Sequence, residues 1–236
     1  MPSQIFKVTS LQDGTGPGTL RSAIIAANKD MTGGVDIIQI ALPAVQKPYV
    51  LNLKNTPQGQ ENKAQLGDLD IFNTAHSLVI QGVVQGNAMP IIDASEMNDR
   101  VFQVMKGVNV EFQNLIIKGG VANDDGSPYA LPGKTTARGG AILNDGGAIK
   151  LTNVSLIGNS ARGRDGKSFN DVTPGADGTS AEGGGIYARN GNVTLNRVTA
   201  KNNFAQGGNG GAGGNAPELD ANGNFGIAGG GGQGGG

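Results

Sequence analysis

The chain has 236 residues, of which 42 are glycine, with no cysteine, no tryptophan and a single histidine, and 18 lysine plus arginine stand against 19 aspartate plus glutamate. A net charge of −1 without a basic stripe argues against nucleic acid or an anionic membrane as the main partner. The missing cysteines exclude disulfides, thiol catalysis and thiolate metal sites, and one histidine excludes a multi-histidine centre.

No stretch approaches the ~18 consecutive apolar residues of a membrane span. The opening MPSQIFKVTS lacks the basic-then-apolar grammar of a signal peptide. In chain order, the first periodic segment is GPGTLRSAIIAAN, which predicts a short helix. Thr19 serves as its N-cap, Leu20, Ile24 and Ala27 share one face, and Asn28 is a tolerable stop. Next come two strands, VDIIQIAL at 35 and YVLNL at 49.

Four later segments align: SLVIQGVVQGN from Ser77, VEFQNLIIKGG from Val110, IKLTNVSLIGN from Ile149 and VTLNRVTAKNN from Val193. Leu78, Ile80 and Val83 match Val110, Phe112, Leu115 and Ile117, then Ile149, Leu151, Val154 and Leu156, then Val193, Leu195, Val198 and Ala200. Each row alternates with period two, skips one residue and alternates again, as two short strands joined at a bend would. The skipped column holds Gly82, Asn114, Asn153 and Arg197; glycine and asparagine tolerate left-handed backbone, and Arg197 is the exception. Before each row lies a short apolar element: LDIF at 69, VFQVM at 101, AILN at 141 and IYAR at 186.

The expected architecture is therefore a solenoid of about three strands per coil, whose Ile, Val and Leu stack in vertical files. Its open end exposes apolar ladder residues, and the amphipathic helix is suited to cover it. Residues 1–34 would form the first strand and capping helix, and residues 35–236 the coils, as the N-terminal portion of a longer solenoid that stops inside a glycine-rich loop. An uncovered last coil would favour end-to-end self-association. The insertions ARGRDGKSFNDVTPGADGTSAEGG and AQGGNGGAGGNAPELDANGNFGIAGG would leave at one corner as solvated excursions.

The succession FKVTSLQDGTGPGTLRSAIIAAN, GDLDIF, LVIQG, IIDASEMNDRVFQV, VEFQNLIIKGG and LTNVSLIGNSA resembles bacterial right-handed parallel β-helix proteins of the pectin-lyase-like fold. More narrowly, it is similar to surface or secreted members that carry an N-terminal capping helix. The resemblance implies an all-β solenoid and an extracellular or cell-surface location. It leaves activity open, because the fold hosts polysaccharide lyases, hydrolases and epimerases as well as adhesins.

Two functions follow as expectations. One is a non-catalytic structural or adhesive module that needs no cofactor and presents glycine-rich loops to a polysaccharide, surface or matrix. The other is an enzyme acting on acidic polysaccharide, which needs clustered carboxylates. Its candidates are Asp68 and Asp70 in GDLD, two residues apart and so on one side of a strand, with Asp124 and Asp125 in NDDG. The plainer reading of these acids is a solvated corner or a turn cap. His76 in NTAHSLV reads as a corner or surface residue. For metal, Asp165, Asp171 and Asp177 offer calcium the oxygen ligands it prefers. Asp220 opens DANGNFG, which imitates a calcium loop but has Phe225 where the turn glycine belongs. Arg162, Arg164 and Lys167 form a small basic cluster, and Tyr129, Phe169 and Tyr187 are the aromatics nearest the loops.

Overall fold

The structure is a computed structural model, and residues 4–43, 46–169 and 173–214 are described. It is a parallel β-solenoid of about four turns with one short helix. The chain opens with β1 (Ile5–Val8), the helix α1 (Leu20–Lys29), β2 (Val35–Ile40) and β3 (Tyr49–Val50). The next coil holds β4 (Leu69–Ile71), β5 (Ser77–Gly82) and β6 (Ile91–Asp93), followed by β7 (Phe102–Val104), β8 (Asn109–Lys118) and β9 (Val121–Ala122). Then come β10 (Ala137–Arg138), β11 (Ile142–Asn144), β12 (Ala148–Ile157) and β13 (Ser160–Arg162). The last described coil comprises β14 (Ala181–Glu182), β15 (Ile186–Ala188), β16 (Asn192–Lys201) and β17 (Phe204–Gln206). Equivalent strands stack as β1-β2-β5-β8-β12-β16, as β4-β7-β11-β15 and as β9-β13-β17. Among the described residues no helix is long and apolar enough to cross a membrane.

The stacking follows from the aliphatic files. Ile38, Ile80, Phe112, Leu151 and Leu195 are register partners through five strands, and Leu115, Val154 and Val198 form a second file. Neighbouring strands lie ~4.8 Å apart, so like side chains touch along each file. Burying one such side chain stabilises by about 1.5–3 kcal/mol. The second sheet contributes Leu69, Phe102, Ile142 and Ile186 in register, and the Phe102 and Phe112 rings meet across the interior at 4.9 Å.

The bend column is left-handed at Asn114, Asn153 and Arg197, with φ of 55°, 54° and 53°. Asn153 Nδ2 donates to Asn114 Oδ1 at 2.8 Å, which links two bends directly. Gly82 departs from the expected column because it does not adopt left-handed backbone. A Cβ there would instead fall on the Asn114 carbonyl oxygen. Beyond Gly82 the chain leaves in a loop and returns as β6, which pairs Ile91 with Ile116 and Ile92 with Ile117. Ile92 is fully buried, whereas Val83, expected on an inward file, is 41 % exposed. The bend of later coils is thus opened into a loop here, as it also is between β2 and β3.

Thr19 caps α1, its Oγ1 accepting from the Ser22 amide at 3.1 Å, and Leu20, Ile24 and Ala27 are buried. The helix packs on β1, β2 and β4. It does not stop at Asn28 but continues to Lys29, with Asp30 as the C-cap. Asn28 instead fastens the lid to β4, its amide donating to the Asp70 carbonyl at 2.7 Å and its Oδ1 accepting from the Phe72 amide at 3.1 Å.

The glycine-rich insertions, where described at 161–169, 173–184 and 205–214, pair with one another through backbone hydrogen bonds, contrary to the expectation of solvated excursions. Gly163, Gly166 and Phe169 donate backbone hydrogen bonds to Gln206, Asn209 and Ala212 at 2.8, 2.8 and 3.1 Å. Ala176 and Thr179 donate to Lys167 and Arg164, while Gly208, Gly211 and Gly214 donate to Thr179, Ala176 and Thr173. Every ladder advances in steps of three residues, and burial along 206–214 repeats with the same period. That is the period of the polyproline II conformation, which makes no internal hydrogen bonds and leaves its backbone free to pair sideways. Glycine is needed for close approach: a Cβ on Gly163, Gly166, Gly208 or Gly211 would fall on the carbonyl oxygen of Thr179, Ala176, Arg164 or Lys167. Beside this layer, β10 pairs with β14 and Ala122, Ala137, Ala161 and Ala181 form a small core of their own.

Two outcomes test these local rules. Arg197→Asn removes the cost of a long side chain at left-handed backbone and should raise the urea midpoint by about 1 kcal/mol equivalent. Gly208→Ala should abolish hydrogen-exchange protection of the Thr179, Gly208 and Gly211 amides while leaving that of the Leu151 amide unchanged, because the layer opens independently of the aliphatic core.

Candidate functional site

Asp68, Asp70 and Asp124 converge beneath the loops that cover the second sheet. Asp68 and Asp70 flank the inward Leu69, and both carboxylates lie on the outer side of the sheet, fully buried. At their centre stands Arg100, whose side chain is wholly enclosed. Its Nη1 lies 3.2 Å from Asp68 Oδ2 and 3.7 Å from Asp99 Oδ1, and its Nη2 lies 2.6 Å from Asp124 Oδ1. Nε and Nη2 also donate to the carbonyls of Arg138 and Asp124 at 3.2 and 2.7 Å. One guanidinium thereby joins segments that enter three successive coils.

The surrounding loop completes the enclosure. Gln60 donates to Asp68 Oδ1 at 2.7 Å and Asn55 to Asp99 Oδ2 at 2.7 Å. Arg21, buried under α1, pairs with Asp13 at 2.7 Å and donates to the carbonyls of Ala64 and Gly67 at 3.1 and 2.8 Å. Asp125 stands apart, half-buried, its Oδ1 accepting from the Ser127 amide at 3.1 Å and its Oδ2 lying 3.9 Å from Arg138.

Electrostatics follow from this crowding. Burial and the neighbouring Asp70 and Asp99 push Asp68 well above the usual carboxylate range, against the pull of Arg100. Burial raises Asp70 likewise, and Asp99 is pushed up to about 6, again by burial first. Burial opposes charge on Arg100 too, but Asp124, Asp68 and Asp99 outweigh it and hold the guanidinium above its ordinary value. Asp70 Oδ1 and Gln103 Oε1 are both buried without a hydrogen-bond partner, and the two residues are register neighbours. A proton on Asp70 lowers the cost of burying an oxygen that has no donor, in keeping with its raised affinity for one.

Above the loop lies a surface cavity of about 500 Å³ bordered by Thr56, Gln58, Glu61, Lys63, Gln65 and Tyr129. Tyr129 is 79 % exposed at a left-handed φ of 63°, held there by its amide donating to the Gln60 carbonyl at 2.9 Å. The one carboxylate on this rim, Glu61, accepts from the amides of Lys63, Gln65 and Leu66. It shapes its own loop.

The remaining candidates are dispersed. Asp165 and Asp177 are exposed on the glycine layer, and Asp165 Oδ1 accepts from the Asn209 amide at 2.7 Å. Asp171 and Asp220 lie outside the described residues. The basic cluster is spread over aromatic partners: Arg162 lies 5.1 Å from the Phe204 ring centre and Lys167 4.9 Å from that of Phe169. His76 occupies the corner before β5 but is no surface residue; it is 8 % exposed and faces Asp36. Sequence reasoning passed over Arg100 and Arg21. The visible signal was an arginine preceded by an aspartate, immediately before the buried VFQV.

The raised carboxyls make a signed prediction. A group whose folded pKa lies above its unfolded value of 3.8 contributes fully below that value and loses its contribution as pH rises through the folded one, about 6 for Asp99. The depressed carboxylates, such as Asp13 and Glu111, start from 3.8 and 4.5 and act only below that range. Stability read from the urea midpoint should therefore fall between about pH 4.5 and 7, Asp99 alone accounting for about 2 kcal/mol of that fall. Asp70→Asn, which supplies an amide donor, should raise the midpoint at pH 7 and flatten that fall; a pH-independent midpoint in both proteins contradicts the assignment. Comparison with models of known families, with curated proteins and with solved structures finds no match to this chain.

Proposed function

We propose that the chain is a non-catalytic module of an extracellular or cell-surface protein, of the pectin-lyase-like kind that its motifs resemble in bacteria. The solenoid is the scaffold, and its ordered loops make contact with a polysaccharide, surface or matrix component. The observation that carries this reading is the enclosure of the acids. Asp68 and Asp124 are buried against Arg100, Asp70 is buried with its Oδ2 accepting from the Ala64 amide, and Glu61 is bound to amides, so none of the four is presented to a sugar.

What reaches solvent suits adhesion. Around the cavity the exposed groups are the Tyr129 ring, the Gln58 and Gln65 amides, the Thr56 hydroxyl and the Lys63 ammonium. An aromatic face beside hydrogen-bonding amides and one cation matches the apolar faces, hydroxyls and carboxylates of an acidic glycan. The glycine layer adds an ordered surface whose side chains recur every ~9 Å. This function requires no cofactor, and calcium, where it contributes, would act through Asp165 and Asp177 on the layer.

Incubation with polyuronates, with and without calcium, tests the proposal. Retention on immobilised polyuronate is expected, weakened about tenfold or more by Tyr129→Ala, without release of unsaturated or reducing sugar. Sugar release that disappears in Asp68→Asn or Asp70→Asn would overturn it in favour of a polysaccharide lyase or hydrolase.

A further inference from the structure

Asp30, Asp36 and His76 meet where the C-terminal end of α1 lies over the first strands of the large sheet. Asp36 occupies an inward register position whose partners down the file are Leu78, Val110 and Ile149. A carboxylate replaces an aliphatic side chain there, at full burial. Its Oδ1 accepts from the Gln4 amide at 3.2 Å, but Oδ2 has no hydrogen-bond partner and lies 3.2 Å from His76 Nε2.

The groups behind these atoms are arranged to aim lone pairs. His76 Nδ1 lies 3.3 Å from the Ser77 carbonyl, so a proton on Nδ1 leaves Nε2 as the donor atom. A backbone carbonyl on the far ring nitrogen is the usual orienting partner of a metal-bound imidazole. Asn73 Nδ2 is 3.0 Å from Nε2, yet its two hydrogens are directed to the carbonyls of Ala27 and Asp30, and the Ala75 amide on Asn73 Oδ1 fixes that orientation. The Asp30 carboxylate is held on both oxygens by Thr32, from its amide at 2.8 Å and its hydroxyl at 2.8 Å. Each oxygen keeps a further lone pair. Ligand atoms of the three residues all lie within 4.8 Å of one another.

We propose that Asp30, Asp36 and His76 bind a divalent cation of the zinc class, which staples the end of α1 to β2 and to the corner before β5. One imidazole and two carboxylates suit zinc, and bonds of about 2.0–2.2 Å in a tetrahedral set separate neighbouring ligand atoms by roughly 3.3 Å, close to the spacing of Asp36 and His76. Three protein ligands leave a fourth position for water. The carbonyl end of the helix dipole favours a cation at this place as well.

His76 is the only histidine, so its ring nitrogen signals need no assignment. Chelator-treated full-length chain is titrated with Zn²⁺ alone, followed by calorimetry and by ring ¹⁵N resonances. One equivalent should bind, with Nε2 moving to a metal-bound shift while Nδ1 keeps its proton, and the thermal midpoint should rise. Thr32→Val should weaken binding about 10–100-fold, Asp30→Asn by more, and His76→Gln should abolish it. Asp30→Asn alters a residue near the surface at constant size, and it decides the matter if His76→Gln does not fold. The proposal fails if Nε2 shows no metal-bound shift or carries a proton at zinc saturation, or if zinc binds Asp30→Asn as tightly as the parent.

Discussion

Every coil of this chain depends on its neighbours for its backbone hydrogen bonds, because parallel strands one coil apart pair with each other and not within a coil. That requirement dictates most of the remaining architecture. Side chains at a given corner must be compatible with those above and below, as Ile38, Ile80, Phe112, Leu151 and Leu195 are. Chain can be added only where the ladder is already interrupted. The loops after Gly82 and after Ile40 replace the bend, and the long insertions leave between the third sheet and the second.

The polar interior answers a different need. Loops folded over the second sheet bury Asp68, Asp99 and Asp124 against Arg100, and bury Asp70 as well. Taking these groups from water is costly, and mutual attraction repays it only when nearly every lone pair finds a donor. The arrangement therefore reads as a clamp with an excess of acid. Truncating Arg100 would strand several carboxylates at once, whereas neutralising one of them relieves repulsion. Such a cluster holds three coils in register, and it does so at the expense of accessibility.

The aliphatic files were legible in the sequence because they repeat: period-two alternation around a skipped residue marks Leu115, Val154 and Val198 without reference to structure. The capping helix was legible for the same reason, from Leu20, Ile24 and Ala27 on one face. Val83 was misplaced because the loop after Gly82 preserves the apolar count while changing the path. Arg100 and Arg21 were missed because their partners lie at separations such as 32 and 46 residues, where no local period connects them. The pairing of His76 with Asp36 has the same cause. The spacing of Gly163 and Gly166, and of Gly208, Gly211 and Gly214, is present in the sequence. Each run is too short, and too mixed with other glycines, to announce its period.

The glycine layer carries an arithmetic of its own. Gly163 meets Gln206 and Gly166 meets Asn209, so consecutive insertions are matched residue by residue, one full coil apart. Removing three residues ahead of Gly208 slides the second insertion by one step and places Gly211 and Gly214 at the crossings that Gly208 and Gly211 occupy. In the first insertion the same step brings Phe169 to the crossing that Gly166 occupies, where a Cβ would fall on the Ala176 carbonyl oxygen. The two insertions thus differ in tolerance: the paired glycines at 207–208, 210–211 and 213–214 present a hydrogen at a crossing in more than one register, whereas Gly163 and Gly166 hold the first to one.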